Sequence, residues 1–228
     1  MLLYYITDRS RFAGDEHSRR SQLLATIVQA ALCGVDYIQL REKDLPALQL
    51  ETLARDVVVR LRTGNDKLKT ELLINARTDI AVACGADGVH LRSDDISPRD
   101  ARKIWAQGGK STSAGATVGS SCHTRSEVAR AAADGADFAV FGPVFAKGQS
   151  QPAGLEALHD ACQEKIPVLA LGGVTLANVG ACIHAGAAGI AAIRLFQENQ
   201  MDRVVATLRS LKSGTGGPTP ARTKTSSL

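Results

Sequence analysis

The sequence predicts an α/β fold, a single (βα)8 (TIM) barrel with a core of eight parallel strands. Three observations carry this prediction. The chain has 228 residues, 44% of them hydrophobic, which suits one large domain with a substantial core. A short motif recurs four times at even intervals, and apolar strand-like segments alternate with amphipathic helix-like segments. The even spacing disfavours the rival fold, a doubly wound open sheet.

The repeated motif is a glycine that stands between a helical stretch and an apolar strand. Its four copies are Gly34, Gly85, Gly135 and Gly186, which lie 51, 50 and 51 residues apart. Glycine just after a helix is typical of the left-handed C′ position. This period is too long for one βα unit and suits two, so a second strand is expected midway in each period.

The elements follow in order from this frame. Strands are predicted over 2–7, 37–41, 72–75, 88–91, 116–121, 138–142, 167–172 and 189–194. Helices are predicted over 21–33, 124–134, 155–164, 175–185 and 199–211. A further helix begins near Ser97, with Asp95 or Ser97 as N-cap and Pro98 at the first position. The barrel domain spans 1–211, residues 212–228 read as a disordered polar tail, and 107–113 and 146–153 read as flexible loops.

Composition and charge exclude several classes of protein. No apolar run approaches the ~20 residues of a membrane span, and the N-terminus lacks the pattern of a signal peptide. Aromatic residues make up only 4%, which argues against a single-stranded nucleic-acid binder. Three cations of the tail, Lys212, Arg222 and Lys224, account for most of the net charge of +4. We therefore expect no nucleic-acid partner and no membrane partner.

The five cysteines form no Cys-x-x-Cys pair, so neither a disulfide framework nor a structural zinc site is expected. Buried or half-buried thiols in a reducing cytoplasm are the plain interpretation. The sequence does not determine the oligomeric state, and it is compatible with a homo-oligomer.

In a (βα)8 barrel the active site lies at the C-terminal ends of the strands. The predicted ends carry cations (Arg41, Lys43, Arg92 and Arg194) and a Gly172-Gly173 pair after strand 7. Loops 7 and 8 are the recurrent phosphate site of this fold. Asn75, Asp94 and Asp95 offer oxygen ligands that suit Mg²⁺ on a pyrophosphate. These residues predict an enzyme for small phosphorylated substrates.

Each candidate also has a purely structural interpretation. The two glycines suit a tight turn, Asp94 or Asp95 a helix cap, and residues 41–43 a solvated charge run. His123 is placed either for proton transfer or for structure, and Cys122 for packing.

The chain resembles the thiamine phosphate synthase/TenI family over about residues 2–210. The most specific motif is Gln39-Leu40-Arg41-Glu42-Lys43. Support comes from the runs at 6–9, 88–91 with Asp95 beyond, 121–124, 135–138, 142–145 and 170–174.

For a synthase, the resemblance implies that Gln39, Arg41 and Lys43 hold 4-amino-5-hydroxymethyl-2-methylpyrimidine diphosphate. Asn75 would contact the pyrimidine, Asp95 would bind Mg²⁺, and Ser121 would lie near the diphosphate. Gly172 and Gly173 would hold the phosphate of hydroxyethylthiazole phosphate. Pyrophosphate would leave first, and the thiazole nitrogen would then attack the pyrimidine carbocation.

Three positions depart from the synthase pattern. Ala76 stands where the family has a metal-binding Asp, only Lys147 remains of the hydroxyls and lysine that follow strand 6, and Arg194 replaces a usual Ser. The loss of one carboxylate is expected to weaken Mg²⁺ binding.

Two other functions are kept beside the synthase. A TenI-type thiazole tautomerase would use His123 as acid and base, and it would need no cofactor. A non-catalytic regulator that binds phosphate ligands would bind tightly without turnover. The synthase leads because the whole strand 2 motif and Asp95 are present.

Overall fold

The structure is a computed structural model that describes residues 1–63, 68–108, 115–146 and 151–211. Eight parallel strands pair in sequence order and close into a barrel, because β1 pairs with both β2 and β8. The strands are β1 Leu2–Ile6, β2 Tyr37–Leu40, β3 Glu71–Asn75, β4 Gly88–Leu91, β5 Thr117–Cys122, β6 Phe138–Phe141, β7 Val168–Leu171 and β8 Gly189–Ala192. The predicted fold class is confirmed.

Helices follow the strands around the outside of the barrel. They are α1 Glu16–Leu32, α2 Ala47–Arg62, α3 Thr78–Cys84, α4 Pro98–Gln107, α5 Arg125–Ala133, α6 Gly154–Ala161, α7 Val179–His184, α8 Arg194–Gln197 and α9 Met201–Ser210. Among the described residues, no helix has the length and apolar character that crossing a membrane would need.

The helix predicted over 21–33 begins earlier, at Glu16, where Asp15 caps it by accepting from the Ser18 amide. The helix predicted over 155–164 ends at Ala161.

Two other predicted helices differ from the structure because of asparagine side chains. The helix expected over 175–185 begins only at Val179, because Asn178 holds the preceding residues in a turn through the Thr175 amide (2.7 Å). The helix expected over 199–211 is divided into α8 and α9. Asn199 donates to the carbonyl of Leu195 (3.1 Å), which satisfies the end of α8.

The four repeated glycines occupy the conformation that the sequence predicts. Their φ angles are +86°, +75°, +83° and +103° for Gly34, Gly85, Gly135 and Gly186. Each therefore turns the chain out of a helix in the left-handed region, where a side chain would be strained. The predicted start of α4 is also confirmed, since Ser97 Oγ accepts from the amide of Asp100 at 3.1 Å and Pro98 is the first helical residue.

Three of the repeats carry an aspartate two residues after the glycine, at the N-terminal rim of the barrel. Asp36, Asp87 and Asp137 each accept a hydrogen bond from an amide at the start of the preceding strand: Leu3 (2.9 Å), Leu72 (2.8 Å) and Val118 (2.7 Å). Each carboxylate also pairs with a helix arginine: Arg209, Arg62 and Arg102. We call these three the rim aspartates. Ala188 stands at the corresponding place in the fourth repeat.

Two apolar regions form the core. The larger lies between strands and helices, and the smaller fills the inside of the barrel. The inner region consists of Tyr4, Ile6, Leu73, Phe138, Val140, Leu169 and Ala191. Four cysteines are buried, Cys33 is half-buried and all five are free thiols, as the sequence predicts. Cys122 is a packing residue whose burial raises its pKa to about 11.

Candidate active site

The C-terminal ends of four neighbouring strands bring most of the predicted site residues to one side of the barrel mouth. Strands β2 to β5 are adjacent, and they end near Gln39, Asn75, His90 and Ser121. Asn75 stands directly beside His90 in the register of β3 and β4. Residues that are far apart in the sequence thus share one surface, as the fold requires.

Gln39 lies inside the barrel rather than at its surface. Its side chain is buried, and its amide Nε2 donates to the hydroxyl of Tyr4 at 3.0 Å. The amide is therefore fixed in place by the barrel interior.

Glu42 anchors the loop after β2, which corrects the view of residues 41–43 as a solvated charge run. Glu42 is buried and accepts from Thr7 Oγ1 (2.6 Å) and from the amide of Arg9 (2.9 Å). The Thr7 hydroxyl in turn accepts from the amide of Arg41 at 2.9 Å. Burial raises the pKa of Glu42, and the bonds from Thr7 and Arg9 oppose the rise by favouring the carboxylate.

Arg9 completes this anchor. Its guanidinium is buried and binds both oxygens of Asp44, at 2.6 and 2.9 Å, while also contacting Glu42 at 3.3 Å. We call Thr7, Arg9, Glu42 and Asp44 the loop 2 clasp. It holds the backbone on both sides of Arg41 and Lys43 in one conformation.

Two cations at the mouth, Arg41 and Lys43, stand apart from the paired Arg92, which contacts Asp94 and Asp95. Arg41 is half-buried and Lys43 is exposed. Within the described ranges, neither forms a salt bridge with a carboxylate. The pKa of Lys43 is lowered, first by the positive charge of Arg41 and then by burial and by Arg92, while the negative charge of Asp94 opposes the shift. An anion bound beside Lys43 would offset the positive charge of Arg41 that lowers the pKa of Lys43.

The predicted metal ligand Asp95 is already engaged. One of its oxygens accepts from the amide of Arg92 at 2.7 Å, and the other lies 3.3 Å from the Arg92 guanidinium. Ser97 caps α4, so Asp95 is not the N-cap. Among the described residues, no three His, Cys, Asp or Glu side chains come together as a metal site. Mg²⁺ usually takes only one or two carboxylates from a protein and its other ligands from water and substrate phosphate, so Mg²⁺ binding at Asp95 stays a prediction.

Ala76 has an unusual backbone for its residue type. Its φ is +60°, the one positive value among the described residues other than glycine. Asn and Asp tolerate this left-handed region better than Ala does. The backbone at 76 therefore keeps a shape suited to Asp, while the carboxylate itself is absent.

On the opposite side of the mouth, the loops after β7 and β8 enclose a cavity of about 530 Å³. Gly172, Gly173 and Arg194 all line it. The glycines have φ of +93° and +65°, and a Cβ on either would lie 2.6 or 2.7 Å from Pro143 or Phe145. Close approach of the loop after β6 therefore requires glycine here, whether or not a phosphate binds.

Two histidines lie at the ends of β4 and β5. His90 is buried, and its Nε2 lies 2.8 Å from Ser121 Oγ. Burial and the charge of Arg41 lower the pKa of His90 to about 3. His123 is exposed at the mouth, and its Nδ1 lies 2.6 Å from the carbonyl of Gly142. Because a carbonyl only accepts, Nδ1 carries the proton and Nε2 is left free. The remaining candidate, Lys147, lies outside the described residues.

A family model described as thiamine monophosphate synthase matches residues 3–196. The chain belongs to the thiamine monophosphate synthase family. A relative from Geobacter sulfurreducens is 42% identical over 196 residues, which are 84% of this chain and 84% of the relative. A thiamine-phosphate synthase from Methanoculleus marisnigri is 37% identical, over 84% of this chain and 85% of its own length.

Among solved structures, a thiamine phosphate pyrophosphorylase from Pyrococcus furiosus superposes with a TM-score of 0.73 and 26% identity. The match covers 91% of this chain and 93% of that one. The thiamine monophosphate synthase family predicted from the strand 2 motif is therefore confirmed.

Proposed function

We propose that this chain is a thiamine-phosphate synthase. It joins 4-amino-5-hydroxymethyl-2-methylpyrimidine diphosphate to hydroxyethylthiazole phosphate and releases pyrophosphate. The observation that carries the proposal, beside family membership, is the cluster of Arg41, Lys43 and Arg92. Within the described ranges Arg41 and Lys43 form no salt bridge, whereas Arg92 is paired with Asp94 and Asp95. The other side of the mouth holds a separate cavity. Two phosphorylated substrates need two separate binding places, and the two sides of the mouth offer them.

The cationic side would hold the pyrimidine diphosphate. The loop 2 clasp fixes the backbone that carries Arg41 and Lys43, so little backbone ordering is required when the anion binds. Gln39 would help Arg41 and Lys43 to hold the pyrimidine diphosphate. Asn75 would contact the pyrimidine, and the Ser121 hydroxyl would bond to a diphosphate oxygen. Lys147 is a further candidate for this group.

The cavity side would hold the thiazole phosphate. Gly172 and Gly173 bring backbone close to the ligand, and Arg194 adds a charge-assisted hydrogen bond. Arginine neutralises a phosphate more fully than serine would, because it carries charge and several donors.

The reaction requires mainly that the two substrates are positioned and that the negative charge of the leaving pyrophosphate is stabilised. The bond between the pyrimidine methylene carbon and the diphosphate oxygen breaks, and pyrophosphate leaves with the electron pair. The thiazole nitrogen then forms its bond to the carbocation. Arg41, Lys43 and Arg92 stabilise the departing charge, while the two subsites hold nitrogen and carbon in line.

The partners that follow are these two small phosphorylated substrates, with neither nucleic acid nor membrane among them. A cytoplasmic location agrees with the five free thiols. A homo-oligomer is compatible with this assignment.

The experiment is a turnover assay of the purified chain with both substrates, with and without Mg²⁺, measuring pyrophosphate and thiamine phosphate. We expect Arg41→Ala to lower the rate by roughly 100-fold, because one positioned donor to the leaving charge is lost. Arg55→Ala, on the exposed face of α2, is the matched control and should leave the rate unchanged. Absence of thiamine phosphate from folded wild-type protein that binds both ligands would favour the non-catalytic binder.

A tautomerase is kept as a second candidate because of one observation. The bond from His123 Nδ1 to Gly142 leaves Nε2 at the mouth with a free lone pair, which suits proton transfer. If the chain is a tautomerase, His123→Ala abolishes isomerisation of carboxythiazole phosphate. Isomerisation that persists at the wild-type rate in His123→Ala would exclude this role.

A further inference from the structure

His90 is enclosed inside the barrel and touches Ser121. Its ring packs beside those of Tyr4 and Phe138, with centroids 5.6 and 6.4 Å away. Nε2 lies 2.8 Å from Ser121 Oγ, within hydrogen-bond distance. Ser121 itself is only half-buried at the end of β5, so its hydroxyl borders the mouth.

The other ring nitrogen decides where the proton lies. Nδ1 is the one buried side-chain nitrogen or oxygen among the described residues that has no hydrogen-bond partner. It faces Gly119, where a Cβ would lie only 2.8 Å away. A proton on Nδ1 would be a buried donor without an acceptor, an arrangement that proteins avoid.

The neutral ring therefore carries its proton on Nε2, where Ser121 Oγ accepts it. Double protonation is disfavoured, because burial and Arg41 both lower the pKa of His90. Ser121 cannot then give its own proton to His90. The pair is not a nucleophile with its base, since the hydrogen bond runs in the opposite direction.

We propose that His90 is a positioning residue that donates Nε2–H to Ser121 Oγ and thereby turns the Ser121 hydroxyl into a donor toward an anionic ligand at the mouth. A serine that already accepts one hydrogen bond must direct its proton elsewhere. The open direction is the mouth, where Arg41 also lies. The anion is the diphosphate of the proposed function, so that part of the inference rests on the proposed function.

The first test reads the tautomer directly in the ligand-free full-length chain. Nitrogen-15 NMR of histidine-labelled protein near pH 7 should show His90 with Nε2 protonated and Nδ1 unprotonated. The signals are assigned by their loss in His90→Gln. A proton on Nδ1 would overturn the proposal, whatever reaction the protein catalyses.

The second test measures binding of inorganic pyrophosphate by calorimetry. We expect Ser121→Ala and His90→Phe each to weaken binding about tenfold, as loss of one hydrogen bond to a charged group predicts. The double variant should be no weaker than either single variant, because His90 acts through Ser121. His90→Gln, whose amide can donate to Ser121, should keep most of the affinity.

Ser120→Ala is the matched control, because it makes the same change one residue away on the opposite face of β5. It should bind like wild type. Equal losses in Ser120→Ala, or additive losses in the double variant, would overturn the proposal. If wild type fails to bind pyrophosphate, the part of the proposal that concerns the anionic ligand is wrong. Binding and the predicted tautomer without thiamine phosphate formation would contradict only the proposed function.

Discussion

At position 76, directly after β3, the backbone adopts a left-handed conformation that alanine rarely occupies. Strain of this kind costs about 1 kcal/mol and is concentrated at functional sites. Aspartate would fit the same conformation and would add an oxygen ligand at the C-terminal end of β3. The residue type therefore bears on both stability and metal use.

We expect Ala76→Asp to make pyrophosphate binding more dependent on Mg²⁺ by about tenfold or more, since each carboxylate adds affinity for the ion. Calorimetry with and without Mg²⁺ measures this. Ala76→Gly is the control, because it relieves the backbone without supplying an oxygen. The same Mg²⁺ response in both variants would remove position 76 from the metal site.

The buried, neutral His90 predicts that the folded protein loses stability in acid. Its pKa is about 3 in the folded chain and 6.5 for an ordinary histidine. As pH falls below about 6.5, the unfolded chain takes up a proton that the folded chain does not. Stability is therefore full above that pH and falls by up to ~1.4 kcal/mol per pH unit on the way to pH 3.

Urea unfolding at a series of pH values should show a shallower acid loss in His90→Phe than in wild type. His159→Gln, an exposed histidine on α6, should keep the wild-type slope. Identical slopes for wild type and His90→Phe would contradict the buried neutral state of His90.

At the scale of elements, the loop 2 clasp joins β1 to the loop after β2. Its loss should lower stability and ligand affinity together, because the same bonds hold Arg41 and Lys43. Glu42→Ala leaves the buried Arg9 without one partner, and we expect a loss of about 3 kcal/mol in the free energy of unfolding.

Denaturant unfolding measures this loss. Glu51→Ala, which removes the partner of Arg55 on exposed α2, should cost no more than about 0.5 kcal/mol. A loss for Glu42→Ala as small as that of Glu51→Ala would show that the clasp adds little stability.

At the scale of elements, the sequence predicts a feature well when the residues that determine it are neighbours in the chain. The turns at Gly34, Gly85, Gly135 and Gly186 and the cap at Ser97 follow from neighbouring residues, and all five are confirmed. The late start of α7 depends on a single asparagine side chain and was not predictable from periodicity. Helices α2 and α3 were absent from the helices that the sequence predicted.

The site shows the same limit. The cations at strand ends were predictable because the fold itself gathers them. The burial of Glu42 depends on Thr7 and Arg9, which lie 35 and 33 residues away, and the contact between His90 and Ser121 spans 31 residues. Neighbouring residues do not indicate which distant side chain each of these residues contacts. Inward alternation on β4 was the available signal for His90, since Val89 and Leu91 belong to the outer core.

For the whole molecule, the two rims of the barrel carry different tasks. The candidate site lies at the C-terminal rim, while the rim aspartates at the other end bond strand amides and helix arginines. In this fold, residues at the N-terminal rim usually serve stability, and residues at the C-terminal rim usually carry the chemistry.

We expect Asp137→Ala to lower the free energy of unfolding by about 1–3 kcal/mol, because the buried amide of Val118 loses its acceptor. Thermal or urea unfolding measures the change. Asp134→Ala, which removes a surface pair with Arg99, is the control and should change stability by less than about 1 kcal/mol. Equal effects would show that the carboxylates act only as surface charges.

The fourth repeat has Ala188 where the others have a rim aspartate, and this gap lies at the base of β7 and β8. Those two strands also carry the loops that line the 530 Å³ cavity. Fewer side-chain bonds to strand amides lower the free energy of local opening. Amide hydrogen exchange should therefore be faster at Val168 than at Leu3, Leu72 or Val118. The quarter of the barrel that would admit the thiazole phosphate is then also the quarter that opens most readily.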